Sequence, residues 1–75
     1  MKSITVNLRM SSDVKDFVNI ANKYAYEMDL KSGRYTVDAK SLLGIFSLDL
    51  SKPITMEIYN DKCDDLIKEL KPFTK

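Results

Sequence analysis

Histidine is absent from the 75-residue sequence, and cysteine occurs once, at Cys63. Zinc sites in proteins are built mainly from cysteine and histidine side chains, so the sequence excludes an ordinary zinc centre. A single cysteine cannot form an internal disulfide, which is typical of a reducing compartment and favours the cytoplasm. Because neither a histidine nor another evident base accompanies Cys63, we interpret it as a core residue and not as a nucleophile.

Long apolar stretches are also absent. No run approaches the roughly 20 residues that a membrane-spanning helix needs, and residues 1–4 lack the apolar segment of a secretory signal. The net charge is only +1, and no basic stripe with interleaved aromatics indicates a nucleic-acid surface. With 44% apolar and 31% charged residues, the composition predicts one soluble globular domain over residues 1–75, without a membrane or nucleic-acid partner.

The first third of the chain changes from strand periodicity to helix periodicity. Ile4, Val6 and Leu8 alternate with polar residues, which predicts a first strand with one buried face. Helix-capping residue types at positions 11–13 then precede an apolar pattern with helical spacing, which predicts a helix over residues 12–24. The apolar positions of this helix are Val14, Phe17, Val18, Ala21 and either Tyr24 or Ala25.

A β-hairpin is predicted around Gly33, a residue that adopts positive φ at little cost. The apolar alternation at residues 26–30 predicts a second strand, and Tyr35 and Val37 continue the alternation as a third strand. The two strands flank a short turn, so we expect them to pair directly with each other.

The rest of the chain predicts a short helix, a strand and a final helix. Residues 42–46 are expected to form the short helix, with Ser41 at its start, and residues 54–58 alternate as a fourth strand. A cap at residues 60–61 is expected to open the last helix, and Pro72 is expected to mark its end. The apolar stripe of that helix consists of Cys63, Leu66, Ile67 and Leu70.

The predicted order is therefore β-α-β-β-α-β-α. Each strand has one apolar face and each long helix has one apolar stripe, so the economical packing is a four-stranded sheet with the helices on one side. The connection lengths favour a mainly antiparallel sheet, and the fold class is α+β, an open-faced sandwich. A ferredoxin-like arrangement uses the first six elements in the same order, and the pattern alone does not separate the two.

One segment carries a specific family signature. Residues 37–48 read Val-Asp-Ala-Lys-Ser-Leu-Leu-Gly-Ile-Phe-Ser-Leu. The segment resembles the HPr family, the small phosphocarriers of the bacterial sugar phosphotransferase system, in which a Lys-Ser-(aliphatic)-(aliphatic)-Gly-(aliphatic)-(apolar)-Ser-Leu run opens the second helix. Gly33 and the order of the elements extend the resemblance along the chain, which implies an HPr-like fold.

The phosphocarrier signature of that family is missing. HPr proteins carry Gly-Ile-His-Ala-Arg-Pro between the first strand and the first helix, and enzyme I phosphorylates the histidine. Here residues 8–14 read Leu-Arg-Met-Ser-Ser-Asp-Val. Reversible phosphoryl transfer requires a neutral nitrogen nucleophile near neutral pH, whereas a serine phosphate is a far less labile donor. We therefore predict no phosphocarrier activity, with an unconventional acceptor at residues 10–12 as the lesser alternative.

The resemblance implies a different role for Ser41. In some HPr proteins the matching serine is phosphorylated by a dedicated kinase, and the phosphorylated form binds a transcriptional repressor of carbon catabolite genes. A histidine-less relative that keeps this serine exists in the family, and the chain is similar to it in that respect. A phosphate at a helix N-terminus meets free backbone N–H groups and need not unfold the helix. The alternative interpretation is that Ser41 only caps the helix.

The short helix is apolar on nearly all sides, so one sheet cannot bury all of it. In HPr proteins the corresponding surface binds partners, which implies a docking role for Lys40, Leu42, Leu43, Ile45 and Phe46. The alternative is that all four apolar residues belong to the core. A non-phosphorylated interaction domain, or a homodimer through this helix or an edge strand, also remains open.

We expect neither a metal site nor a cofactor, and no enzymatic activity of the chain's own. Asp61, Asp64 and Asp65 are interpreted as charges at the start of the last helix, because calcium loops need a longer alternating run of oxygen ligands. Lys15, Lys23, Lys31 and Lys40 are expected to be solvated.

Overall fold

The computed structural model describes residues 1–74, and its elements follow the predicted order. A 3-10 turn at Lys71–Phe73 closes the described chain. No helix within this part of the chain is long and apolar enough to cross a membrane. The strands and helices are β1 (Lys2–Val6), α1 (Ser11–Ala21), β2 (Met28–Ser32), β3 (Tyr35–Asp38), α2 (Leu42–Phe46), β4 (Ile54–Ile58) and α3 (Asp64–Glu69).

The strands form one sheet in the order β1-β4-β2-β3, and every neighbouring pair is antiparallel. Ile54, Met56 and Ile58 of β4 are all fully buried, as the period-two alternation predicts. Met56 lies opposite Ile4 of β1 and Leu30 of β2, so the apolar residues of three strands share one face. The strand order, which periodicity leaves open, places β1 at one edge and β3 at the other.

The helices cover that apolar face. Phe17 of α1, Ile45 of α2 and Leu66 of α3 are each fully buried. The ring of Phe17 meets Phe73 edge to face, with centroids 6.0 Å apart and an interplanar angle of 86°. Burying each large apolar side chain contributes about 1.5–3 kcal/mol to the stability of the fold. Within residues 1–74 no helix covers the other face of the sheet, and the predicted open-faced α+β sandwich is confirmed.

The predicted hairpin is present between β2 and β3. Ser32 and Tyr35 are opposite each other, so the loop contains only two residues. Gly33 occupies its first position with φ at +60°, a conformation that L side chains rarely adopt. A glycine at the first position of a two-residue loop matches the right-handed twist of the flanking strands.

Helix α1 is shorter than predicted and is capped differently. It begins at Ser11 and ends at Ala21, whereas the apolar spacing predicts a helix as far as residue 24. No serine side chain caps its N-terminus. Instead the carboxylate of Asp13 accepts hydrogen bonds from the backbone N–H groups of Arg9 at 3.3 Å and Met10 at 3.2 Å. A carboxylate in the first turn also suits the positive end of the helix dipole.

The segment after α1 packs against α3 and not into the sheet, so β2 begins at Met28 and not at the predicted residue 26. The rings of Tyr24 and Tyr26 are stacked, 5.7 Å apart with an interplanar angle of 10°. Their hydroxyls donate to carboxylates of α3, Tyr24 to Glu69 and Tyr26 to Asp65. Tyr26 continues the apolar alternation of β2 in the sequence, but its side chain contacts α3 and the residue lies outside the strand.

The contact between Tyr24 and Glu69 changes the acidity of both groups. The pKa of Tyr24 is raised to about 12, chiefly because its hydroxyl donates to the Glu69 carboxylate. The pKa of Glu69 is lowered, first by the hydrogen bond from Lys23 at 2.5 Å and then by the one from Tyr24. Lys23 is thus paired with a carboxylate and Lys31 with Glu57, and both lysine side chains remain exposed to solvent, as expected.

Replacing Glu69 with glutamine is expected to return the Tyr24 pKa toward its ordinary value of 10.0, because the hydroxyl loses its anionic acceptor. The folded protein holds this proton more tightly than the unfolded chain does. The contribution of the Tyr24–Glu69 hydrogen bond to the stability of the fold is therefore present below pH 10, and it is lost as the pH rises through about 12. An NMR titration of the tyrosine rings measures the change, with Tyr59, which donates to Asp29, as the internal control. An unaltered Tyr24 pKa in the variant would contradict this assignment.

Helix α3 begins at Asp64, after the predicted cap. The side-chain oxygen of Asn60 accepts from the N–H of Lys62 at 2.8 Å and turns the chain before the helix, and Asp61 lies outside the helix. Cys63 is the N-cap residue and is fully buried, which confirms it as a core residue, although it precedes the helix. Burial raises the pKa of its thiol. The helix ends before Pro72, as predicted.

Candidate functional site

Ser41 is the N-cap residue of α2, with extended backbone angles of φ −99° and ψ 109°. Its Oγ accepts a hydrogen bond from the N–H of Gly44 at 3.1 Å, which satisfies a donor that the helix itself leaves unpaired. Its backbone N–H donates to the carbonyl of Asp38, and its carbonyl accepts from Ile45, both at 3.0 Å. The capping role inferred from the sequence is therefore present, and it fixes the position of the hydroxyl.

Ser41 is not a core residue. The residue is half-buried, and no buried polar side chain occurs among residues 1–74. Gly44 contributes to this arrangement, since a Cβ at that position would lie 3.1 Å from the Ser41 Oγ and 3.3 Å from the Val37 Cβ. The glycine therefore lets α2 pack closely on the end of β3 without displacing the serine. A glycine within an apolar helix segment is the sequence signal for such a close approach.

Three apolar side chains of α2 are accessible to solvent. Leu43 is 83% exposed, Phe46 41% and Leu42 36%. We call this group the α2 apolar surface. The interpretation that all four apolar residues of α2 belong to the core is therefore wrong. A helix that is apolar on all sides is expected to leave some of these residues exposed, and this expectation is confirmed.

Ile45 does not belong to this surface, although the sequence resemblance places it among the partner-binding residues. It is fully buried, because its position on the helix points its side chain at the sheet. A partner cannot touch Ile45 without opening the core. It holds α2 in place, so the exposed apolar part of this helix consists of the α2 apolar surface alone.

Lys40 is also held by the fold and is not simply solvated. Its Nζ donates to the backbone carbonyl of Tyr24 at 2.6 Å, and its backbone N–H donates to the Asp38 carboxylate at 2.9 Å. The lysine therefore ties the start of α2 to the segment that follows α1. A partner that uses the ammonium group of Lys40 must first compete with this hydrogen bond. Nothing in the sequence pattern indicates this long-range contact.

The start of α1 is where the family pattern places its histidine. Met10 is its N-cap residue, and Ser11 and Ser12 form its exposed first turn. The N–H groups of Arg9 and Met10, which could meet an anion at this end, are already bonded to the Asp13 carboxylate. The negative charge of that carboxylate also opposes the approach of a phosphoryl group.

Metal-binding chemistry receives no support from the described residues. Among residues 1–74, no group of three or more His, Cys, Asp or Glu side chains is placed to hold a metal ion. Asp64 and Asp65 lie in the first turn of α3, as predicted, whereas Asp61 lies before it.

Comparison with known proteins agrees with the fold and with the signature segment. The family model for the PTS HPr component phosphorylation site matches residues 12–74, which include Ser41 and all of α2. The matched segment begins after Met10, so the loop that precedes α1 lies outside it. No curated protein matches the chain.

Two solved HPr structures share the architecture. HPr-C-His from Thermoanaerobacter tengcongensis is 25% identical, with a TM-score of 0.81 over 99% of this chain and 91% of that one. The phosphocarrier protein HPr from Bacillus anthracis str. Ames is 23% identical, with a TM-score of 0.73 over 99% of this chain and 94% of that one, and supports the fold alone. The four-stranded antiparallel sheet, the helix order and the match over residues 12–74 lead to one conclusion: the chain belongs to the PTS-HPr family.

Proposed function

We propose that the chain is a regulatory, protein-binding member of the HPr family that does not carry phosphoryl groups and is switched by phosphorylation of Ser41. One observation carries the proposal: a partly accessible serine caps a helix whose apolar side chains are exposed, in a chain that contains no histidine. The proposed partners are an HPr kinase and a transcriptional repressor of carbon catabolite genes, in the cytoplasm. The chain is not an enzyme in this account.

The loss of phosphocarrier activity follows from the chemistry of the available side chains. A phosphorylated imidazole transfers its phosphoryl group readily, whereas a phosphorylated serine does not. Ser11 and Ser12 are exposed at the start of α1, but the neighbouring Asp13 carboxylate, which accepts from the N–H groups of Arg9 and Met10, places a negative charge beside them that opposes a phosphoryl group. The geometry therefore disfavours the lesser alternative, an unconventional acceptor at residues 10–12.

Phosphorylation of Ser41 would change the α2 apolar surface without requiring α2 to unfold. The phosphate adds a charge of about −1.5 to −2 and three acceptor oxygens beside Leu42 and Leu43. The phosphorylated Oγ can still accept from the Gly44 N–H, so the cap can persist. A partner that binds a purely apolar surface would be rejected, and one that presents arginine beside an apolar pocket would be favoured.

Parallel phosphorylation reactions test the proposal. The purified chain is incubated with phosphorylated enzyme I in one reaction, and with an HPr kinase and ATP in the other. We expect no acid-labile phosphate from enzyme I and one acid-stable phosphate from the kinase. A histidine-containing HPr serves as the positive control for the first reaction. Transfer of an acid-labile phosphate to this chain would contradict the loss of carrier activity.

A second candidate function is a non-phosphorylated interaction domain or a homodimer. The large exposed apolar side chains favour it, above all Leu43 on α2 and Tyr35 on β3, which is 71% exposed. This candidate predicts that partner binding is the same before and after treatment with the kinase. The two candidates are therefore separated by measuring binding to one partner in both states.

A further inference from the structure

A groove with a volume of about 550 Å³ lies between α1 and the 3-10 turn at Lys71–Phe73. Helix α1 forms one wall, and the residue after β1 forms the other together with the turn. The backbone N–H of Asn7 donates to the carbonyl of Phe73 at 2.7 Å and so joins β1 to the turn. None of the described residues that line the groove belongs to α2, so the groove is separate from the α2 apolar surface.

The apolar part of the lining is held in place by the core. Ile20 packs against the core from a half-buried position, and Phe73 is only 8% exposed, with its ring against Phe17. Pro72 is exposed between the two walls, and its ring fixes the local backbone. A groove that is already formed binds an incoming segment without a large ordering cost on its own side.

The polar part of the lining carries negative charge only. It consists of the carboxylates of Asp13 and Asp16 and the amides of Asn7 and Asn19, with no lysine or arginine among the described lining residues. Neither carboxylate forms an ion pair within residues 1–74, whereas four other carboxylates in that range each contact a cation. The charge of the groove is therefore left uncompensated by the described fold.

Both carboxylates can accept hydrogen bonds from a ligand. Asp16 is exposed and Asp13 is half-buried. The two hydrogen bonds to Asp13, from the N–H groups of Arg9 and Met10, both use its Oδ2 atom. They fix the orientation of the group, and since a carboxylate has about four acceptor positions, Asp13 can accept further bonds.

The spacing of the two carboxylates indicates the chemistry of an occupant. Asp13 and Asp16 are three positions apart on α1, where side chains are neighbours about 5–6 Å apart. Alternate side chains of an extended segment lie on the same side, about 6.6 Å apart. Basic residues at alternate positions of such a segment therefore reach both carboxylates.

Arginine fits this groove better than lysine does. Its planar guanidinium binds a carboxylate through two parallel hydrogen bonds and is more weakly hydrated than an ammonium group. Its aliphatic stem can cover the apolar surface of Ile20 and Pro72 while the charged end reaches the carboxylates.

We propose that the groove binds an extended segment of a partner protein that carries arginine at two alternate positions. The guanidinium groups pair with Asp13 and Asp16, and the arginine stems cover the apolar lining. The amide of Asn19, at the same edge, is available to the backbone of the segment. This surface is independent of Ser41 and of its phosphorylation.

NMR titration of the isotopically labelled full chain with the peptide acetyl-Ser-Arg-Ser-Arg-Ser-amide tests the proposal. We expect saturable shifts of the backbone signals of Asp16, Asn19 and Ile20. The expected Kd is on the order of 1 mM, because a short flexible peptide loses conformational freedom on binding. The same peptide with glutamine in place of both arginines should bind at least about tenfold more weakly. Equal affinity for the two peptides would contradict the proposal.

Charge variants separate binding in the groove from general attraction between opposite charges. Asp16→Asn should raise the Kd at least about threefold, since it removes one of the two ion pairs. Asn19→Lys, which places a cation one helical turn from Asp16, should also raise it and keeps a good helix former. Asp64→Asn, the matched control outside the groove, should leave the Kd unchanged.

Three outcomes would overturn the proposal. One is the absence of saturable shifts in the groove, and another is a loss of affinity in Asp64→Asn equal to that in Asp16→Asn. The third is a shift of the groove signals with protein concentration in the absence of peptide, because the occupant would then be a second copy of the chain.

Discussion

Ser41→Ala is expected to abolish all phosphate incorporation by an HPr kinase, while the wild-type chain takes up one phosphate. The substitution also removes the N-cap acceptor of the Gly44 N–H, so the free energy of unfolding should fall by about 1 kcal/mol. Mass spectrometry of the intact protein measures the first effect, and urea denaturation measures the second. Phosphate uptake that is the same in Ser41→Ala and in the wild type would show that the kinase modifies another residue.

Ser41→Asn separates the two effects. Asparagine is as good an N-cap residue as serine, so the stability of this variant should stay close to that of the wild type. It has no hydroxyl, so it should take up no phosphate. Suppose that Ser41→Asn binds the partner as the unphosphorylated wild type does. A loss of binding seen only in Ser41→Ala is then caused by the loss of the N-cap hydrogen bond.

Ile45→Ala is expected to lower the free energy of unfolding by about 2–5 kcal/mol, because it leaves a cavity in the core beneath α2. Leu43→Ala, two residues earlier on the same helix, should change it by no more than about 0.5 kcal/mol, since Leu43 is 83% exposed. A domain of this size buries little surface and has a small stability margin, so Ile45→Ala can approach global unfolding. Urea denaturation of both variants measures the difference.

The conservative variant Ile45→Val controls for nonspecific damage to α2, and its cost should be about 0.5–1.5 kcal/mol. Partner binding should show the opposite pattern, lost in Leu43→Ala and kept in Ile45→Val. Equal losses of stability in Leu43→Ala and Ile45→Ala would mean that α2 is packed differently from the arrangement described above.

The fold could be predicted from the sequence because apolar residues recur every two positions in a half-buried strand and about every 3.6 positions in an amphipathic helix. The alternation around Met56 and the helical spacing around Phe17 each indicate one buried face, and the structure confirms both. The ends of elements were harder to predict. Tyr24 and Tyr26 continue the patterns of α1 and β2, yet they pack on α3, a contact between residues more than 35 positions apart. Local spacing carries no information about such a partner.

The site was predictable only in part for a similar reason. Ser41 could be located because the Lys-Ser segment and the apolar run after it define the start of a helix. The exposure of part of α2 follows from its apolar residues on all sides, but a helix of five residues has too few positions to show that Ile45 faces inward. Lys40 looked like a surface lysine, and only the folded chain brings it to the carbonyl of Tyr24.

The most direct test of the regulatory account is mass spectrometry of the protein isolated from its native cells, with the modified residue mapped and its stability in acid recorded. We predict one acid-stable phosphate on Ser41 whose occupancy changes with the carbon source. An acid-labile phosphate at any residue, or no phosphate on Ser41 under any growth condition, would contradict the account.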